Sequence, residues 1–411
     1  MFTHNVMLFN KYIHQYDSIK DSNLTIEDID PRIKKRRDRL PTISEDDDKW
    51  HSEHQAISIN GYWYDIGNFI PSHPGGDIIK QYIRKDATTS FYGMHCKPDE
   101  ILKQRFPCAI HMSSKPYVQK NFKLNELYWK LYQRYNELGL FTPSILWVVK
   151  VHILQAIMCA VMCWCCYYYP KNWFFNGIIC GNFMVNAAFI SHDSCHNVTT
   201  QNRSVNKFIS LLNGTLCFGV FHDWWYVEHN MHHAMPNTYS DEEGRIVDPQ
   251  SCEDLWAQAD QVLGFYKAIY HPWTIPYQHI ITFPLALFFG RFGIMVDGWA
   301  QSFKELRYKH ILGLVLHWTW IIALCCLMES YWRFYFILHT YYGLLSLQLL
   351  SSHIAKPFQE LEEAKEMSFP KRQAEVNVNF RCSRWNDWFF GGLHYHTEHH
   401  VFPRMPRYNL R

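Results

Sequence analysis

The sequence predicts two joined parts, a small α+β domain followed by an all-α membrane domain with four spans. Two observations support this division. Charged residues make up only 19% and aromatic residues 17% of the 411 residues, whereas average soluble domains have about 25% charged residues. Apolar residues also concentrate after residue 144, in runs of about 20 residues, which is the length that crosses a bilayer. We therefore expect soluble parts first and a multi-pass membrane domain over residues 145–411.

The region before the membrane domain divides into three segments. Residues 1–50 are polar and mixed in charge, open no signal peptide, and are expected to form a loosely ordered extension. Residues 51–115 are expected to form the α+β domain. Residues 116–144 carry aromatic and leucine positions that predict an amphipathic linker helix on the bilayer surface. The net charge of only +2 argues against nucleic acid as a partner.

A short motif in the predicted α+β domain has the composition of a tight turn beside a flat ligand. The letters HPGG begin at His73, after an aromatic run over residues 63–69. Two glycines after a proline let the backbone turn tightly. The stretch resembles the haem motif of cytochrome b5, which implies haem b with an axial histidine on each face of its iron. The resemblance assigns His73 and His95 as these ligands. An ordinary surface histidine is the alternative for His95, and His111 lies too far along the chain.

Four segments of the membrane domain are long and apolar enough to span a bilayer. They cover residues 145–169, 173–191, 311–328 and 332–352. The stretch 275–300 is also apolar, but prolines and the charged residues Arg291 and Asp297 interrupt it. We interpret this stretch as an interfacial or re-entrant helix, with a fifth span as the alternative.

Three clusters of histidines lie beside the apolar segments. The first has the pattern HxxxH and the other two have the pattern HxxHH. On a helix, positions i, i+3 and i+4 share one face, so each cluster can direct its imidazoles at one point. Imidazole suits iron, copper, zinc and nickel, and eight nitrogen ligands suit two ions. One cluster among 24 histidines could arise by chance, but three favour a metal site. The eight are His192, His196, His229, His232, His233, His396, His399 and His400.

The clusters and their surroundings resemble the membrane-bound fatty-acyl desaturases. Residues 391–406 are similar to the end of a front-end desaturase, a type with an N-terminal cytochrome b5-like domain, and the insect cytochrome b5-related proteins share this layout. The resemblance implies two non-haem iron ions held by the eight histidines. It also indicates His353 as a ninth ligand, for which a hydrogen-bonded interface histidine is the alternative. Front-end desaturases usually carry glutamine at the position of His396. They also continue beyond the position of Arg411, which indicates a truncated sequence or a shorter family branch.

The number of spans decides whether the clusters can meet. If the haem domain is cytosolic, four spans bring all three clusters and His353 to the cytosolic face, whereas five spans would place the third cluster on the opposite face. We therefore expect a multi-pass protein of the endoplasmic reticulum membrane, with the haem domain and all clusters in the cytosol. Asp193, Glu228 and Glu398 stand beside the predicted ligands. They are expected to orient imidazoles through hydrogen bonds, with solvent exposure as the alternative.

The two modules together predict an O₂-dependent lipid desaturase. Removing hydrogen from an unactivated methylene needs a strong oxidant, which acid–base side chains cannot supply. A haem on the same chain can deliver single electrons at high effective concentration, and the resemblance implies NADH-cytochrome b5 reductase as its donor. The expected substrate is a lipid acyl chain in a tunnel between the spans, and the expected product contains a cis double bond. The alternatives are a lipid hydroxylase and a haem electron-transfer membrane protein without desaturase activity.

Overall fold

The chain forms two compact units. The computed structural model describes residues 40–44, 47–105, 109–113, 122–251, 256–354 and 356–411. Most of the predicted extension 1–50 lies outside these residues. The first unit contains the described residues up to Leu138 together with Gln359–Glu375 and Arg411. The second unit contains Gly139–Phe358 and Val376–Leu410.

The described strands and helices are numbered in chain order. The strands are β1 (Thr42–Ile43), β2 (Ala56–Ile59), β3 (Tyr62–Asp65), β4 (Ala109–Ser113), β5 (Thr238–Ser240), β6 (Arg245–Ile246) and β7 (Gln359–Glu360). The helices are α1 (Asp48–Glu53), α2 (Thr88–Met94), α3 (Pro98–Arg105), α4 (Phe122–Glu137), α5 (Ile145–Tyr168), α6 (Trp173–Cys195), α7 (Arg203–Ser210), α8 (His222–Ala234), α9 (His271–Thr274), α10 (Gln278–Lys304), α11 (Tyr308–Leu327), α12 (Tyr331–Ser351), α13 (Leu361–Glu366), α14 (Phe369–Val376), α15 (Asp387–Phe390) and α16 (His396–Val401).

The first unit is an α+β fold built on a four-stranded sheet, as predicted. The strand order is β1-β4-β3-β2, with β2 and β3 paired antiparallel and β1 and β4 paired parallel. Asn60 and Gly61 join β2 to β3, both with positive φ, which is the backbone that a tight two-residue hairpin turn requires. Trp63 of β3 is fully buried. The sheet therefore supplies one wall of this unit's core.

Segments distant in sequence complete the first unit. The linker helix α4 packs here, because the ring of Trp129 lies edge-on to Tyr92 with centroids 4.4 Å apart. The insertion Gln359–Glu375, which the sequence places inside the membrane domain, also belongs to this unit. Its Arg372 donates a hydrogen bond to the Tyr82 hydroxyl at 3.0 Å, and its Phe369 lies against Gly93. Such long-range contacts leave no local pattern in the sequence.

The second unit is all-α except for the short strands β5 and β6. Among the described residues, four helical segments are long and apolar enough to cross a membrane, which agrees with the predicted membrane class, and three of them coincide with predicted spans. Buried apolar side chains of α6, α11 and α12, including Met184, Ile321 and Leu338, form one continuous core. The four segments are Ile145–Tyr168, Trp173–Cys195, His271–Lys304 and Tyr308–Leu327.

The stretch 275–300, which the sequence indicates to be an interfacial or re-entrant helix, belongs to a segment that is long and apolar enough to cross a membrane. Its prolines and charges do not break the helix, because Gln278–Lys304 is continuous with Pro284 inside it. The Arg291 guanidinium does not interrupt the helix, because it is buried and reaches the Phe218 carbonyl oxygen and the His317 imidazole. The predicted span 332–352 forms helix α12, which has 21 residues but is less apolar than the four segments above.

Helices α10 and α12 lie side by side and run parallel. The backbone of Gly343 approaches the Leu287 carbonyl oxygen so closely that a Cβ atom would overlap it, and Gly290 lies in the same way against Ser346. Both contacts join residues that are 56 positions apart in sequence. Because the sequence offset between contacting residues is the same at both contacts, the two helices run in the same direction, toward the end of α12 at Ser351.

Candidate metal centre

Four elements of the second unit present the predicted ligands. His192 lies in the last turn of α6 and His196 follows it. The second cluster lies on α8 and the third on α16, while His353 follows α12. Helical spacing therefore sets the direction in which the side chains of each cluster point.

The nine histidines gather into two groups, and the helix period divides the second and third clusters between them. On α8 the i, i+4 pair joins one group and the intervening residue joins the other; on α16 the same division occurs with the groups exchanged. Within each group the candidate ligand nitrogens all lie within 4.8 Å of one another. The first group is His192, His196, His229, His233 and His399, and the second is His232, His353, His396 and His400.

The spacing of the ligand nitrogens fits a metal ion in each group. The Nε2 atom of His229 lies 3.0 Å from that of His196 and 3.1 Å from that of His233, and the Nε2 atoms of His353 and His396 are 2.7 Å apart. Two nitrogens about 2 Å from one ion and at a right angle to each other are about 3 Å apart. Among the described residues, the buried His399 Nε2 has no hydrogen-bond partner. Both observations fit a metal held between the rings.

Hydrogen bonds to the opposite ring nitrogens orient three of the imidazoles. His232 Nδ1 donates to the carboxylate of Asp248, with both oxygens at 3.0 Å. His229 Nδ1 donates to the side-chain oxygen of Gln250 at 3.0 Å. His353 Nδ1 donates to a backbone carbonyl oxygen at 3.1 Å. Each bond leaves Nε2 unprotonated, which is the form of the ring nitrogen that binds a metal.

Asp193 and Glu398, two of the three carboxylates expected to orient the histidines, have other partners. Asp193 pairs with Arg407 at 3.0 Å, while its oxygen is 4.0 Å from His192 Nδ1. Glu398 accepts a hydrogen bond from Asn379 at 2.6 Å. Burial raises the pKa of Glu228 to about 7 and also raises the pKa of Glu398. The carboxylate that does orient a histidine is Asp248, which accepts the hydrogen bond from His232. Asp248 lies 16 residues beyond His232, so no local spacing reveals this contact.

Burial also sets the protonation of the histidines. Loss of water lowers the pKa of His353 to about 3, and the charge of His232 adds to the effect. The imidazole of His353 is therefore neutral at physiological pH and able to bind a cation. Burial also holds the pKa well below its usual value for His196, His229, His233, His396, His399 and His400.

A cavity of about 670 Å³ adjoins the histidines. Five of the nine line it, and most of the remaining wall is apolar or aromatic. This volume lies within the usual range of small-molecule sites. The histidines on the wall are His192, His229, His232, His353 and His396.

The two histidines predicted to bind haem face each other in the first unit. His73 follows a short 3₁₀ turn and His95 ends α2, and their ring centroids are 6.3 Å apart. Two metal–nitrogen bonds of about 2 Å, plus the distance from each nitrogen to its ring centre, account for that separation. Each Nδ1 atom donates to a backbone carbonyl oxygen, of Gly76 at 2.9 Å and of Phe91 at 2.8 Å. A Cβ on Gly75 would lie 2.9 Å from the His73 ring, so the glycine leaves room for the imidazole.

Comparison with known proteins gives two family matches. The sequence model of the Fatty acid desaturase family matches residues 170–411, and that of the Cytochrome b5-like Heme/Steroid binding domain matches residues 44–135. The chain is 28% identical over 390 residues to the Delta(8)-fatty-acid desaturase of Borago officinalis, covering 86% of this chain and 82% of that protein. It is 27% identical over 397 residues to the Delta(6)-fatty-acid desaturase fat-3 of Caenorhabditis elegans, covering 86% and 87%.

Proposed function

Because the chain belongs to the fatty acid desaturase family, we propose that its two histidine groups hold the two irons of an O₂-dependent lipid desaturase. The chain is an oxidoreductase of the front-end type with its own cytochrome b5-like domain. The observation that supports the metal assignment best is the gathering of nine buried histidines from four separate elements into two groups. Packing such polar rings together without a shared ligand would be costly.

The reaction removes two hydrogens from adjacent methylenes. One CH₂–CH₂ unit, one O₂, two electrons and two protons become one CH=CH unit and two waters. Iron bound at the histidines supplies the oxidising power that the side chains lack. The nine imidazoles hold the metals, and Asp248, Gln250 and the carbonyl oxygen of Val376 fix the orientation of three of these rings. The cavity wall holds the acyl chain beside the histidines and limits its access to water.

Electrons reach this reaction through the first unit in our proposal. His73 and His95 would hold haem b between their facing rings, and their Nδ1 hydrogen bonds leave Nε2 of each ring unprotonated and able to bind its iron. We further propose NADH-cytochrome b5 reductase as the donor to the haem, because the domain is of the cytochrome b5 type. The proposed location is the endoplasmic reticulum membrane, with the haem domain and the histidine groups in the cytosol.

The test combines metal analysis with lipid mass spectrometry. The full chain and the variant His233→Ala are produced in a eukaryotic host, with His279→Ala as a matched control because His279 is exposed and outside both groups. We expect wild type and control to contain two non-haem irons and to make lipids that have lost two hydrogens. His233→Ala should lose iron and product while keeping its haem spectrum. A product with one added oxygen would indicate a hydroxylase. Unchanged lipids with both cofactors bound would contradict the desaturase assignment.

A further inference from the structure

A stripe of α10 residues forms one wall of the cavity. It repeats with the helical period and extends over 16 positions, from Leu285 to Gln301, which is about 24 Å of helix axis. The facing wall is a stripe of α12 followed by His353. The residues of the α10 stripe are Leu285, Ala286, Phe289, Gly290, Gly293, Ile294, Asp297 and Gln301.

Because α10 and α12 run parallel, the height of each wall residue along the helix axes can be compared with the height of the metal site, here called the metal level. The constant offset of 56 positions places Gly293 level with Leu349 and Asp297 level with His353. Gly293 is therefore about 6 Å, or roughly one helical turn, further along the cavity than the metal level. Beyond Gly293 the α10 wall is apolar, whereas at and before the metal level it carries Asp297 and Gln301. A hydrocarbon tail that enters the apolar part must pass Gly293.

The two glycines of the stripe have different surroundings. A Cβ on Gly290 would lie 2.7 Å from the Ser346 hydroxyl oxygen, so helix packing explains that glycine. A Cβ on Gly293 would meet no atom within 4 Å. A glycine within a helix destabilises it relative to alanine, and no packing contact in the described structure requires one at this position. Gly293 is exposed and lines the cavity.

We propose that Gly293 determines which acyl chains the enzyme accepts, by leaving the passage open between the metal site and the apolar end of the cavity. This inference rests on the proposed function, since it assumes that the cavity holds the acyl substrate. A larger side chain at Gly293 would project into the passage without displacing protein atoms. Chains that end before this level would still bind, and longer chains would be excluded.

The test compares tail lengths in wild type, Gly293→Ala and Gly293→Leu. Dissociation constants for lauric, myristic, palmitic and stearic acids are measured on the detergent-solubilised full chain, by displacement of a fluorescent fatty acid. We expect Gly293→Leu to weaken the binding of stearic acid relative to that of lauric acid by about 10- to 200-fold. This is the range by which apolar pockets discriminate between ligands of different size. Gly293→Ala should give a smaller shift in the same direction. In cells fed these acids, the unsaturated products of Gly293→Leu should be shorter than those of wild type.

The matched control is Val296→Leu, which enlarges an exposed side chain of the same helix that does not line the cavity. Thermal unfolding of each variant tests folding, and Gly293→Ala keeps the inference testable if Gly293→Leu fails to fold. Equal weakening for all four acids, or an unchanged order of affinities, would overturn the role of Gly293. Absence of unsaturated product from wild type would instead refute the proposed reaction, while the affinities would still test the passage.

Discussion

At the scale of single residues, substitutions of His73 and His95 test electron delivery separately from binding of non-haem iron. His73 and His95 face each other at a separation that fits one iron between them. We predict that His73→Ala removes the haem absorbance and abolishes or greatly lowers desaturation, because one axial bond is lost. Non-haem iron per protein should stay near the wild-type value. The measurements are the visible spectrum, iron content and unsaturated product.

His111→Ala is the control for the haem prediction. His111 is a histidine of the same unit, and its Nδ1 contacts the carbonyl oxygen of Pro41. This variant should retain the haem spectrum and activity. Full activity of His73→Ala in a host that lacks free cytochrome b5 would contradict an obligatory built-in donor.

The third cluster contains one residue that departs from the front-end pattern. His396 lies in the second group with its Nε2 atom 2.7 Å from that of His353. We predict that His396→Gln keeps measurable desaturation, since an amide oxygen can bind weakly or hold a water at the metal. His399→Gln should abolish activity and lower iron content, because the buried Nε2 atom of His399 has no other partner among the described residues. Iron per protein and double-bond product are measured for both. Near-wild-type activity in both variants would exclude this cluster as the metal site.

Asp248 is a positioning residue that the sequence did not reveal. It is fully buried and accepts hydrogen bonds from His232 Nδ1 and from the Asn237 backbone N–H. We predict that Asp248→Asn lowers iron affinity by about 10- to 100-fold, the usual effect of losing such a partner of a ligand histidine. Competition with a chelator measures the affinity. The exposed Asp241→Asn is the control. Unchanged affinity with retained folding would remove Asp248 from this role.

At the scale of elements, close packing of α10 on α12 forms the cavity wall. Gly343 is the closest contact, where a Cβ would overlap the Leu287 carbonyl oxygen. We predict that Gly343→Ala destabilises the protein by about 1–3 kcal/mol, the typical result of overpacking. Thermal unfolding in detergent measures the loss. Gly293→Ala, whose Cβ meets nothing, should not lower the unfolding temperature, and an equal loss in both variants would argue against packing as the cause.

The helix period also explains how much of the site could be predicted from local sequence. Spacings of three and four residues indicated that the histidines of each cluster share one face of a helix. They could not show that His232 and His233, adjacent in sequence, belong to different groups. That division depends on where α6 and α16 meet α8, which is a property of tertiary packing.

At the scale of the whole molecule, the histidine groups mark one side of the membrane domain. Helix α12 ends beside them, so its first residue is about 30 Å away, close to the thickness of the hydrocarbon core. We predict that tags inserted near Asp241 or appended at Arg411 are cut by protease added to sealed microsomes. A tag near Glu329, in the turn before α12, should be protected. Protection of either of the first two tags would contradict a cytosolic site.

The sequence by itself determined the two-part organisation, the α+β and all-α classes, and the identity of the eight clustered histidines that meet. These features depend on composition, periodicity and short spacings, which are local properties. Tertiary structure alone decided the continuous helix over Gln278–Lys304, the placement of Gln359–Glu375 in the first unit, and the contact between Asp248 and His232. Each of these depends on partners distant in the chain. The helix over Gln278–Lys304 needs a carbonyl oxygen and an imidazole that bind Arg291. The segment Gln359–Glu375 needs a core that receives Phe369, and Asp248 lies on a loop that folds back onto α8. Such partners become neighbours only when the chain packs.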